Sequence, residues 1–173
     1  MIAEGLQELA VQIDRLNPLG GNPRRGDIAA VAKSLKRFGQ RKPVVATLDG
    51  TIIAGNHTHA AALSLGWDKI AVVYVDDDDT EAKAFALADN RTSDLGTYDN
   101  EALVNMMQTV AAADLELLEQ ASYTSEDLSD LMDFMNVPLG GMDNGDIGAE
   151  GDNSKGGGKA SSGLVCPNCG HHL

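Results

Sequence analysis

The residues best suited to chemistry follow a run of β-branched residues: Thr51-Ile52-Ile53-Ala54-Gly55-Asn56-His57-Thr58-His59. This order predicts a strand, a glycine turn and a helix start. Glycine lets backbone approach a ligand closely. A helix start presents free N–H groups and the positive end of the helix dipole, which together form a site for an anion. Asn56, His57 and Thr58 add side-chain donors at the same place. His57 and His59 could chelate one metal from a strand. At a helix start they diverge by about 200°, so phosphate contact or plain packing fits them better than a shared metal.

A second cluster is Asp89-Asn90-Arg91. Asn and Arg can contact phosphate, and Asp can hold Mg²⁺ through water. The plainer reading is a polar helix end with a salt bridge. The run Asp76-Asp77-Asp78-Asp79 reads as a solvated loop in preference to a metal site. A third cluster is basic: Arg24, Arg25, Lys33, Lys36, Arg37, Arg41 and Lys42 lie close in sequence with Asp27 as the one acid among them. Such a patch is either a solvated helix face or a surface for a nucleic-acid backbone, and Lys33, Lys36, Arg37, Arg41 and Lys42 are the candidate DNA contacts. The sequence holds no Walker A, Gly-x-Ser-x-Gly or His-Glu-x-x-His motif.

The last chemistry-bearing group is Cys166-Pro167-Asn168-Cys169-Gly170-His171-His172. Two thiolates before a glycine make half of a zinc ribbon. A closed site takes four ligands, and His171 and His172 lie too near Cys169 to close on one ion without strain. Three arrangements remain: a zinc shared between two chains in a homodimer, a knuckle completed by one His and a partner, or a relic without metal.

These residues must be positioned by secondary structure. Leu9 to Leu16 alternates loosely and predicts a strand, followed by a loop dense in breakers from Asn17 to Pro23. Asp27 can cap a helix to Phe38, with Ile28, Val31, Ala32, Leu35 and Phe38 on its apolar side and Gly39 at its end. Two strands, Pro43 to Leu48 and Thr51 to Ala54, flank Asp49-Gly50, a pair suited to a type I′ turn. A helix over about 56–65, a strand over 70–75 and a helix from Thr80 to about Asn90 follow. Helices are expected over about 99–112, 114–120 and 125–136, with Asp99, Ser122, Thr124 and Ser125 as candidate caps. Leu128, Leu131, Met132 and Met135 form one packing stripe.

The predicted organisation is an α/β domain over 1–95, an acidic helical extension over 96–137, a flexible linker over 138–163 and the Cys tail over 164–173. Charge divides along the same line. Residues 1–75 hold nine basic and six acidic residues, a net of +3, whereas 76–173 hold four and twenty, a net of −16. The acidic half opposes tight non-specific DNA binding and offers its helices to a protein partner. Aromatics are 4% of the chain, so the core must be aliphatic. The chain lacks an apolar run near the roughly 20 residues of a membrane span and a signal-peptide pattern at its start. It also lacks a disulfide framework, so the expectation is a soluble cytoplasmic protein.

Asn22-Pro23-Arg24, a helix ending Ser34-Leu35-Lys36-Arg37-Phe38-Gly39-Gln40, then Lys42-Pro43-Val44-Val45, Gly55-Asn56-His57 and Asp89-Asn90-Arg91 appear in one order. That order, over about 9–95, resembles the ParB N-terminal domain, whose fold is shared with sulfiredoxin. The nearest variety looks like the ParB-like domains of phages and mobile elements, some fused to DNA methyltransferases and often labelled ParB-like nucleases. The resemblance implies a cleft for a nucleotide or phosphate, with Mg²⁺, lined by Arg24, Gly55, Asn56, His57, Thr58, Asn90 and Arg91. It departs from the family at Gly55-Asn56-His57-Thr58, where the usual Gly-Glu-Arg-Arg box has two arginines. The catalytic Cys of sulfiredoxin is also absent beside Gly55. No helix-turn-helix of the partition type is recognisable. Two functions follow. One is a nucleic-acid-associated protein with a nucleotide cleft, in its enzymatic form a metal-dependent nuclease using His57 and Asp89. The other is a non-enzymatic adaptor, for example for a methyltransferase or terminase, with a vestigial cleft. The resemblance predicts that Gly55, His57, Asn90 and Arg91 meet around a helix N-terminus.

Overall fold

The computed structural model describes residues 1–136. Its chain order begins with a 3-10 turn at Glu4–Leu9, strand β1 (Ala10–Gln12), a second 3-10 turn at Ile13–Arg15 and the short β2 (Asn17–Pro18). Helix α1 (Ile28–Phe38), the hairpin β3 (Val44–Thr47) and β4 (Thr51–Ala54), helix α2 (Asn56–Ser64) and β5 (Lys69–Val75) follow. Helices α3 (Asp79–Asp94), α4 (Asn100–Ala113), α5 (Leu115–Gln120) and α6 (Ser125–Asn136) complete it. The expected α/β class holds. The linker and the tail with Cys166, Cys169, His171 and His172 lie outside the described residues.

The five strands form one sheet in the order β1-β5-β3-β4-β2. β5 and β3 pair in parallel, and so do β4 and β2; the other two pairings are antiparallel. The expected single strand over 9–16 is broken, because β1 and β2 belong to opposite edges. On a flat sheet those edges would lie at least about 19 Å apart at the usual strand spacing. The link through the 3-10 turn spans only about 13 Å, so the sheet must curl. The Ile13 N–H reaches Asp68 O at one edge (3.0 Å), and the Asn17 N–H reaches Gly50 O at the other (2.9 Å). Ile13 and Leu16 are buried along this crossing and join Val44, Ile52, Ile70 and Val72 in the core.

Helices α1 and α2 cover one face of the sheet, contributing Leu35 and the fully buried Ala61 and Ala62. Those alanines let α2 lie close to the strands, which is how a chain poor in aromatics fills its interior. Gln40 is buried beside them and works as a strand substitute. Its Oε1 accepts the Ala71 N–H (2.7 Å), and its Nε2 donates to Ala71 O and Lys42 O (2.9 and 3.0 Å).

Several local expectations change. The hairpin is where Asp49-Gly50 places it, but only Gly50 takes positive φ (+90°), and the Gly50 N–H bonds Thr47 O (2.8 Å). This is a three-residue loop ending in a left-handed glycine, not a type I′ turn. The Asp49 carboxylate accepts from the Thr47 and Thr51 hydroxyls and the Thr51 N–H, which holds it below its ordinary pKa. α3 starts at Asp79, one residue before the expected Thr80, and Asp78 caps it, accepting from the Thr80 and Glu81 N–H groups, and its pKa is lowered for that reason. Ser122 is not a cap; it takes φ +69° just past α5. Thr124 caps α6 in a reciprocal box with Asp127: Thr124 Oγ1 accepts the Asp127 N–H, and Asp127 accepts the Thr124 N–H and O–H. Val104, Met107 and Leu118 make a small buried cluster in α4 and α5, and the Gln108 amide donates to the Met132 sulfur across to α6.

Candidate functional site

β4 ends at Ala54, and Gly55 turns the chain into α2 with φ +90°. A side chain is excluded there twice over. The left-handed backbone disfavours it, and a Cβ would sit 2.7 Å from Val44 Cγ1. No side chain caps α2 and its first turn holds no acid. The early N–H groups of a helix have no intrahelical acceptor, so this end presents uncancelled donors and the positive dipole end.

The loop between β2 and α1 is tied across that helix end. The Leu19 N–H donates to Asn56 Oδ1 (3.1 Å), while Asn56 Nδ2 donates to Ile52 O (3.2 Å). The amide of Asn56 is thus consumed in holding loop to strand. The Gly26 N–H donates to His57 Nε2 (2.9 Å), which leaves Nδ1 as the nitrogen able to donate. A Cβ on Gly26 would lie 2.8 Å from that ring. Further along α3, the Arg24 guanidinium donates to Asp94 Oδ1 (2.7 Å), with Asn90 O at 3.5 Å. Asn22 Oδ1 in turn accepts the Arg24 N–H (3.1 Å), which shapes the loop carrying the arginine.

These ties enclose a cavity of about 110 Å³ lined by Asn22, Arg24, Gly55, Asn56, His57, Asp89, Asn90 and Ser93, among others. Two larger hollows adjoin it through shared residues. One of about 450 Å³ lies between the loop and His57, and one of about 370 Å³ lies between the loop and Lys83, Leu87 and Asn90 of α3. Gly55, His57 and Asn90 therefore meet as predicted. Arg91 is exposed and lines none of the three; Arg24 brings the guanidinium instead. Thr58 faces a different groove, with Arg41 and Lys42. His59 is buried with Nε2 3.3 Å from Ile13 O, so the two histidines do diverge. Among the described residues no three His, Cys, Asp or Glu side chains converge on a metal position. Asn22 and Asp94 are the members sequence reasoning missed; Asn22 opens the Asn-Pro-Arg box, whereas nothing local marks Asp94.

Lys33, Lys36, Arg37, Arg41 and Lys42 are all exposed, as a solvated or DNA-facing surface requires. Among the described residues none of the five has an acidic partner; the ion pairs there are Arg24–Asp94 and the weak Lys83–Asp79.

No family model and no curated protein matches the chain in sequence. Solved structures do match it. The C-terminally truncated chromosome-partitioning protein ParB from Caulobacter crescentus, complexed with CTP-gamma-S, is 15% identical with a TM-score of 0.61. That match covers 75% of this chain and 79% of that one. A Pnob8-like ParB-N domain is 21% identical over 65% of this chain and 46% of that one, with a TM-score of 0.43. The Caulobacter protein complexed to the centromeric parS site is 13% identical over 75% and 73%, with a TM-score of 0.41. The first of these gives the fold as ParB-like; the other two superpose too loosely to add to it. The matched share reaches beyond residues 9–95, where the sequence resemblance lay.

Proposed function

We propose that the chain is a nucleic-acid-associated protein that binds the phosphate groups of a nucleotide in the cleft between α2, the loop before α1, and α3. The observation that carries this reading is the uncapped start of α2 behind a left-handed Gly55, with Arg24, His57 and Asn90 from three elements lining one small cavity. The phosphates take the main-chain donors of the first turn, the His57 Nδ1–H, Asn90 and Arg24. The two adjoining hollows have room for sugar and base. The ParB structure that shares the fold is complexed with CTP-gamma-S, which supports nucleotide binding as a use of this fold. Asn56 contributes by position, since its amide is already bonded on both sides. Arg24 must exchange Asp94 for phosphate.

Among the described residues, Asp89 is the one carboxylate lining the small cavity. Asp89 would hold Mg²⁺, and the ion would supply charge neutralisation for the phosphates. A lone carboxylate supports binding over metal-dependent cleavage by His57 and Asp89. The Cys166–Cys169 pair is read, from sequence alone, as half of a zinc site shared between two chains.

A second reading, an adaptor for a protein partner, is favoured by one observation: the acidic helices leave Met106 and Phe134 more than two-thirds exposed. Calorimetric titration with CTP and ATP, with and without Mg²⁺, separates the two. The nucleotide reading expects saturable heat that Arg24→Ala weakens by about 1.5–3 kcal/mol, the scale of a charged hydrogen bond. Silence with both nucleotides leaves the adaptor.

A further inference from the structure

A groove of about 490 Å³ lies between the C-terminal half of α1, the segment that follows it and Thr58 of α2, and shares no lining residue with the cleft. Its walls include Leu35, Phe38, Arg41, Lys42 and Thr58. Phe38 is partly buried and has two guanidiniums near its ring, Arg41 at 5.4 Å and Arg37 at 5.8 Å from the centroid. The Arg41 side chain is not loose: its Nε donates to Phe38 O (3.2 Å), which caps the end of α1 and holds the cation beside the ring. Lys33 and Arg37 stand one helical turn apart on the exposed side of α1, with Lys36 between them. Like charges at that spacing destabilise a helix, and among the described residues no acid relieves them.

We propose that this groove is a binding site for single-stranded nucleic acid. An unpaired base enters beside Phe38 and stacks on the ring and the Arg41 guanidinium, while the neighbouring phosphates lie on Arg37 and Lys42, the cations nearest the ring and the groove. Charge complementarity gives the class of partner: Arg37, Arg41 and Lys42, with no paired acid among the described residues, match a polyanion. The aromatic–guanidinium shelf inside a concave groove gives the form, because stacking needs an exposed base face. A duplex turns its bases inward and would meet these cations without using the groove. An acidic peptide would satisfy the cations but brings no flat ring to the shelf. The proposal is independent of the nucleotide reading.

The test is fluorescence anisotropy on the full chain with a labelled oligothymidine of about ten nucleotides, against a duplex of equal length and a labelled oligoglutamate. The single strand is expected to bind at least about tenfold tighter than the duplex, a factor within the stacking contribution of one base. Phe38→Ala should remove that advantage and Phe38→Trp restore it. If Phe38→Ala does not fold, Arg41→Gln carries the same expectation. Duplex binding as tight as the strand would overturn the proposal. Oligoglutamate binding as tight would make the groove an acidic-protein surface. Displacement of the strand by CTP at equal concentration would place it in the α2 cleft instead.

Discussion

Gly55, Gly26 and Arg24 show how single residues set the cleft. Gly55 combines φ +90° with a Cβ position 2.7 Å from Val44, itself 1% exposed and unable to retreat. Gly55→Ala should therefore cost about 2 kcal/mol in urea-melt stability, the sum of a left-handed alanine and a forced shift in the core. Gly26 is open to solvent on one side and meets the His57 ring on the other, so its role is to let the loop close on the imidazole. Arg24 is held by Asp94, both about half exposed, so the pair itself adds little stability. It does compete with phosphate. Asp94→Asn should tighten nucleotide binding several-fold by calorimetry while leaving the melting temperature nearly unchanged. Weaker binding in that variant would mean that Asp94 positions Arg24 and does not restrain it.

At the scale of elements, acidic side chains fasten the starts of helices and the hairpin turn. Asp49, Asp78 and Asp127 all sit below the ordinary aspartate value of 3.8, chiefly through hydrogen bonds they accept from Thr47, Glu81 and Thr124. A carboxylate depressed in the folded state adds stability that is complete above its unfolded pKa and is lost as pH falls through the folded one. Thermal melts should thus change little between about pH 7 and pH 5 from these groups, and begin to fall below about pH 3.8. Asp127→Asn should shrink that acid-side drop. Most of the elements were legible because they rest on local signals: the helix period and caps of α1, Gly39, the Gly50 turn and the β-branched run of β5. The misses share a non-local cause. Leu9 to Leu16 alternates like one strand, yet the 3-10 turn at Ile13–Arg15 passes it from one sheet edge to the other. Only the tertiary pairing of Ala10 with Ala71 and Asn17 with Thr51 specifies that. Gln40 reads as a polar loop residue because its partners at Ala71 are remote in sequence. The helix α3 outruns Asn90 to Asp94 because Thr92 and Ser93 hydroxyls bond back to Ala88 and Asp89 carbonyls without breaking it.

At the scale of the whole molecule, the basic face of α1 and the acidic stretch from Asp76 onward oppose each other in any encounter with DNA. Among the described residues no helix is long and apolar enough to cross a membrane. The order of motifs along the chain made the cleft legible as a place. It named two arginines for the cleft, Arg24 and Arg91, and only Arg24 lines it, since a helix residue and a loop residue near one cavity look alike in sequence. Metal analysis of reduced protein purified without chelator should return about half a zinc per chain and a dimer lost on chelation, as a site shared through Cys166 and Cys169 requires. No zinc would make the pair a relic. The central claim is that the start of α2 is a phosphate site, and amide NMR during titration with CTP and Mg²⁺ tests it most directly. The largest shifts should fall on Gly55 to Thr58 and on Asn22 to Gly26 across the cleft, with Asn90 following. Shifts confined to α1 or to α4–α6, with the α2 amides unmoved at saturation, would contradict it.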